Sequence, residues 1–132
     1  MNVLEGHIIS IRSHGNLSLV RIETGSVMLS VVIIETVQSA PYLKIGNEIK
    51  ALFKETEVIV ARSHVMDISV QNRIPCEVKQ IESGDLLTRV EMDFKGNRIS
   101  ALIPTESQKE LNILIGDQVF AMVKTNEIML SE

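Results

Sequence analysis

The chain has 132 residues, 45% of them hydrophobic and 23% charged, enough for one or two small domains with a modest core each. Aromatic residues make up only 3% and the formal net charge is −4, which argues against a nucleic-acid binder built on basic grooves and stacking rings. There is no apolar run near the roughly 18 residues of a membrane span, no signal-peptide pattern at Met1–Gly6 and a single cysteine, Cys76, so a cytoplasmic protein without disulfides or thiolate metal cages is expected.

Val3–Ile11 is rich in β-branched residues and reads as a strand, followed by a turn at Ser13-His14-Gly15-Asn16. Leu17–Glu23 alternates apolar and polar residues at period two, Thr24-Gly25-Ser26 turns the chain back, and Val27–Ile34 is a third strand. Glu35–Ala40 can form only a turn or two of helix, because Pro41 stops it. A turn at Gly46 precedes strands at Glu48–Phe53 and Glu57–Ala61. The segment 63–70 has neither Gly nor Pro, so it is no flexible linker. Its Val65, Asp67 and Ile68 predict a partly extended, packed joint.

From residue 71 the pattern repeats. Shifted by 70 positions, residues 1–62 align without a gap on 71–132, with 13 of 62 positions identical. Asn2/Asn72, Ser30/Ser100, Gly46/Gly116 and Lys54/Lys124 are among them, and apolar positions such as Leu4/Ile74 and Ile49/Val119 also correspond. The second copy has a hairpin at Leu87–Asp93 and Arg98–Ile103, turning at Lys95-Gly96-Asn97. Its helical stretch is Thr105–Leu111, where Thr105 and Gln108 have capping-box spacing. Strands at Gln118–Val123 and Glu127–Leu130 complete it. The expected fold is mainly β: two tandem OB-like five-stranded barrels, each with a short helix after the third strand, over residues 1–62 and 71–132.

Catalytic constellations are thin. His7, His14 and His64 have no partner at ligand spacing, and the seven glycines are scattered singly into turns instead of forming a phosphate loop. Cys76 reads as a buried, inert thiol, since no basic neighbour would lower its pKa. An oxyanion site is better founded. The hydroxyls of Ser69, Thr105 and Ser107, the amide of Asn72 and the ammonium of Lys124 fall at boundaries of the second copy and at a helix start. Such groups donate charge-assisted hydrogen bonds to a tetrahedral dianion, and a helix start adds N–H groups. The plainer reading of a Ser or Thr at a helix start is a cap.

Ser69-Val70-Gln71-Asn72-Arg73-Ile74 resembles the Ser-Ala-Arg-Asn-x-Leu opening of the molybdate-binding Mop, or TOBE, domains. Ile103-Pro104-Thr105-Glu106-Ser107, Ile115-Gly116-Asp117-Gln118-Val119 and Val123-Lys124-Thr125 are similar to the later blocks of that family at matching spacing. The first copy is similar through Asn2-x-Leu4-x-Gly6, Leu43–Ile49, Phe53-Lys54 and Val58-Ile59-Val60. The resemblance covers nearly the whole chain as two tandem copies, the arrangement of the di-domain molbindins. It implies an oligomer, with a trimer favoured, that binds molybdate or tungstate in the cytoplasm at interface sites, without catalysis.

The resemblance implies a ligand set of Ser69, the backbone N–H of Val70, Gln71, Asn72, Thr105, Ser107, Lys124 and Thr125, with Lys54 from the first copy. Gln71 replaces the arginine of the motif, and Pro104 replaces a threonine. Losing one charged, bidentate partner of a dianion costs on the order of 2–3 kcal/mol. In the first copy Ile34 and Val37 stand where hydroxyls are expected. Storage or homeostasis of molybdate or tungstate is the leading reading, with no nucleic-acid or membrane partner. The alternative is a regulatory or oligomerisation module of the same fold that has lost the anion.

Overall fold

The computed structural model of the chain describes residues 1–63 and 67–132, so His64, Val65 and Met66 of the expected joint lie outside the described residues. Among the described residues the first half supplies β1 (Asn2–His14), β2 (Leu17–Thr24), β3 (Val27–Ile33), β4 (Glu48–Phe53) and β5 (Ile59–Ala61). The second half repeats them as β6 (Asn72–Ser83), β7 (Leu87–Phe94), β8 (Asn97–Pro104), β9 (Gln118–Val123) and β10 (Met129–Ser131). A helix, α1 (Thr105–Leu111), follows β8. The period-two alternation of the sequence is realised directly: along β2 and β7 every second side chain is buried.

The expectation of a short helix in each half holds only for the second. In the first half residues 37–39 form an isolated turn, with the Ala40 N–H donating to the Thr36 oxygen at 2.8 Å. Pro41 follows at once and cannot continue a helix. The fifth strands are also shorter than expected, because residues 55–57 and 125–127 wind into 3-10 turns first.

Those turns decide the topology. Lys54 leaves β4 in an extended conformation (φ −76°, ψ 148°), and the Glu57 N–H closes the turn on the Lys54 oxygen at 3.0 Å. The chain is thereby carried across to the other sheet. One sheet has the order β10-β4-β1-β2-β3 and the other β5-β9-β6-β7-β8. Each half lends its last strand to the other: Ile59, Val60 and Ala61 pair with Met122, Ala121 and Phe120, and Met129, Leu130 and Ser131 pair with Leu52, Ala51 and Lys50. The repeat boundary in sequence and the sheet boundary in space do not coincide. Val58, Val60 and Ile128 are buried, and each such aliphatic side chain stabilises by about 1.5–3 kcal/mol. That anchors strands too short to stand on their ladder hydrogen bonds.

Matching bulges, between Ile8 and Ser10 and between Val78 and Gln80, bend the long first strand of each half. Lys95 and Gly96, both at positive φ (48° and 88°), make the two-residue turn of the β7–β8 hairpin. Buried side chains of both halves merge into one continuous cluster, mostly Val, Ile and Leu, with Phe53 and Phe94 as its buried rings.

Candidate functional site

The β6–β9 ladder runs from Glu77 opposite Gln118 to Asn72 opposite Val123, and Gln71 and Lys124 are the next residues along the two chains beyond its end. Strand alternation buries Asn72, Ile74 and Cys76 and turns Gln71 and Arg73 outward, on the face that carries Lys124. Just upstream Val70 is buried while Ser69 is exposed. The Arg73 guanidinium folds back on this segment: Nε donates to the Val70 oxygen at 2.9 Å and Nη2 to the Ile68 oxygen at 3.0 Å. One end of the second sheet thus presents a hydroxyl, an amide and an ammonium together. Lys124 is exposed and forms no ion pair among the described residues, and half-buried Thr125 opens the 3-10 turn behind it. Groups of these kinds can donate hydrogen bonds to an anion.

The remaining candidates are placed otherwise. Asn72 is fully buried, and its side chain clamps strand β3: Nδ2 donates to the Ser30 oxygen at 2.9 Å and Oδ1 accepts the Ser30 N–H at 2.7 Å. Asn2 mirrors it on β8, donating to the Ser100 oxygen at 2.9 Å and accepting the Ser100 N–H at 2.8 Å. Each amide ties one strand of the opposite half through one N–H and its oxygen. Thr105 is buried as well. Its hydroxyl donates to the Gly84 oxygen at 2.9 Å and meets the Thr88 hydroxyl at 2.9 Å, while its N–H donates to the Leu86 oxygen. The capping box is not formed: Pro104 occupies the cap position without a side-chain bond, and the Gln108 amide reaches the Ile113 oxygen at the far end of α1. Thr105 has no proton left for a ligand.

Ser107, half-buried on α1, opens on a hollow of roughly 300 Å³ lined also by Thr56, Val58, Leu102, Pro104 and Leu111. Strand exchange therefore brings Ser107 to the turn that follows Lys54, which is itself exposed. Arg89 holds that turn through its contact with Glu55 at 3.2 Å, while its Nε is buried without a partner. No hydrogen bond links Ser107 to Ser69, Gln71 or Lys124 among the described residues. The candidates fall into two groups: Ser69, Val70, Gln71, Lys124 and Thr125 at the end of β6 and β9, and Ser107 beside the Lys54 turn.

Cys76 is buried, its thiol near the Ile74 oxygen at 3.4 Å, and burial pushes its pKa up to about 12, the profile of an inert thiol. His7 lies 3.3 Å from Glu23 on the surface, with no metal-ligand cluster among the described residues, and His64 lies outside them. Two arginines make structural bonds that the sequence pattern does not mark. One is Arg73; the other is Arg62, which donates to the Leu111 and Asn112 oxygens and to Asp117 and so caps α1. Neither has a local sequence signature, because each bonds to backbone carbonyls.

The TOBE domain model matches residues 68–130. The chain is 34% identical over 83 residues to the molybdenum import ATP-binding protein ModC of Brucella abortus, a match over 62% of this chain that spans only 23% of that relative's length. It is 32% identical over 66 residues to the probable molybdenum-pterin-binding protein of Haemophilus influenzae, covering 49% of this chain and 96% of that one. Among solved structures, the cytoplasmic molybdate-binding protein ModG, in a form with molybdate bound, superimposes with a TM-score of 0.89 at 25% identity, over 98% of this chain and 94% of that one. A molybdate-binding protein from Sporomusa ovata matches with a TM-score of 0.50 at 34% identity, over 51% of this chain and all of that one (100%).

Proposed function

This chain belongs to the TOBE-domain family of molybdate-binding proteins, and from that premise we propose that it binds molybdate or tungstate for storage or homeostasis in the cytoplasm. The observation that carries the reading is the match over almost the full length of both chains to a two-domain protein with molybdate bound. The proposed role is reversible binding, with no bond made or broken. Ser69, the Val70 N–H, the Gln71 amide and Lys124 supply the donors, Thr125 adds a hydroxyl, and Ser107 and Lys54 serve a second position across the exchanged strands. A homo-oligomer, with a trimer favoured, brings such donors of neighbouring chains together. A protein of net charge −4 needs this local supply of donors to hold a dianion.

Isothermal titration with molybdate, tungstate, sulfate and phosphate tests the proposal. Heat with the first two at micromolar to submillimolar ligand is expected, and silence with all four at millimolar concentration contradicts it. Lys124→Ala is expected to raise the Kd about tenfold or more, the usual weight of a charge-assisted bond. Unchanged affinity removes Lys124 from the site.

A second reading rests on the commitment of Asn72 and Thr105 to structural bonds. With those donors gone and Gln71 in the place of an arginine, the fold serves as a regulatory or oligomerisation module without anion. Light scattering with and without molybdate separates the two. An oligomer indifferent to the anion, together with silent titrations, favours the module.

A further inference from the structure

The outward face at the end of β6 and β9 contains one more cation than the candidate set includes. Half-buried Arg73 follows exposed Gln71 by two residues, with buried Asn72 between them, so both turn away from the core. Arg73 stands opposite buried Met122 in the ladder, two residues from Lys124, which places the two residues on one diagonal of the sheet. It is also tied to the segment that bears Ser69: Nε and Nη2 hold the Val70 and Ile68 oxygens at 2.9 and 3.0 Å. Each held carbonyl lies in one peptide plane with the N–H of the next residue, so the two bonds fix where the Ser69 and Gln71 N–H groups aim and confine the Val70 peptide between them. The first half has Val3 at the matching position and Met1 at that of Gln71, so it has no such brace.

Resting on the oxyanion reading above, we propose that Arg73 is the positioning residue of the anion site in the second half. It pre-orders the Ile68–Val70 segment and supplies, from the next outward position of the same strand, the positive charge that Gln71 lacks. Pre-ordering lowers the entropy cost of closing a loop around a ligand, and a guanidinium carries its charge at every accessible pH.

The test compares the full-length wild type with Arg73→Ala, Arg73→Lys and Arg73→Gln, by isothermal titration with sodium molybdate at two salt concentrations and by amide hydrogen exchange at residues 69–71. Arg73→Ala is expected to raise the Kd about tenfold or more, the effect of losing a charged partner and its order, and to speed exchange at those amides. Arg73→Lys, which keeps the charge, retains the salt dependence and part of the affinity; Arg73→Gln loses both. Should Arg73→Ala fail to fold in a thermal melt, the lysine–glutamine comparison decides. Affinity within twofold of wild type in folded Arg73→Ala, or equal affinity in the lysine and glutamine variants, overturns the role of Arg73 alone. A wild type that takes up no molybdate overturns the oxyanion reading, and this proposal with it.

Discussion

At position 6 a side chain has nowhere to go: a Cβ built there would stand 2.4 Å from the Glu23 carbonyl oxygen and 2.8 Å from Ile22 Cγ2. Gly6→Ala must push β2 off β1 and is expected to destabilise by about 1–3 kcal/mol, the usual cost of overpacking. The urea midpoint should fall with an unchanged slope. The equivalent position in the second half accommodates Cys76, and here the physics concerns a proton. Burial, the largest cause, raises the thiol from an ordinary 9.0 to about 12, and burial with the neighbouring Glu35 raises Tyr42 from 10.0 to about 12. Both groups have folded pKa values above their unfolded ones, so their contribution is fully present below pH 9. It is lost as pH climbs toward 12, where the unfolded chain ionises first. Urea midpoints measured between pH 8 and 11.5 should decline, and Cys76→Ala should decline less steeply. Parallel curves for the two proteins would contradict the assignment of the slope to Cys76.

Strands β3 and β8 each take a two-hydrogen-bond clamp from one side chain of the opposite half, Asn72 on β3 and Asn2 on β8. Replacing either by alanine strands a buried N–H and a buried C=O at Ser100 or Ser30, at about 1–3 kcal/mol for each orphaned group. Thermal melts of Asn72→Ala should show that loss, whereas molybdate affinity per folded molecule should stay within a few-fold of wild type; a stable variant that no longer binds would return Asn72 to the site. The Asn2/Asn72 and Ser30/Ser100 identities were legible in the repeat. Their meaning was not, because spacing along a chain does not tell that residue 2 meets residue 100. Strands were legible for the opposite reason: alternation is local, and the limits of β4 and β9 coincide with the reading. Thr105 misled because its capping-box spacing is also local, while its hydroxyl is claimed by Gly84 and Thr88, 21 and 17 residues away. The exchange of β5 and β10 leaves no trace in a pattern, since a fifth strand reads the same whichever sheet receives it.

For the whole molecule, that exchange makes the two halves mutually dependent. Cut free as residues 67–132, the second half would expose the β9 edge that β5 covers, and its β10 would lose β4. Ser100 would lose the Asn2 clamp and Asn72 would lose Ser30. A second copy restores all of it: β10 of each copy can take the β5 place on the other, and each Asn72 can clamp the other's Ser100. The internal pseudo-symmetry of the full chain would then become a true twofold, reached by swapping an identical element between protomers. The relative from Haemophilus influenzae, matched over 96% of its length by 66 residues, has about the length of one such half. The isolated fragment is expected to elute as a dimer, with light scattering giving twice the fragment mass, and to melt at a temperature that rises with protein concentration, as linked folding and association require. Asn72→Ala in the fragment should lower that temperature at every concentration. A folded monomer with a concentration-independent melt would mean that β10 can turn back onto its own β9, and that the 3-10 turns do not dictate the crossing.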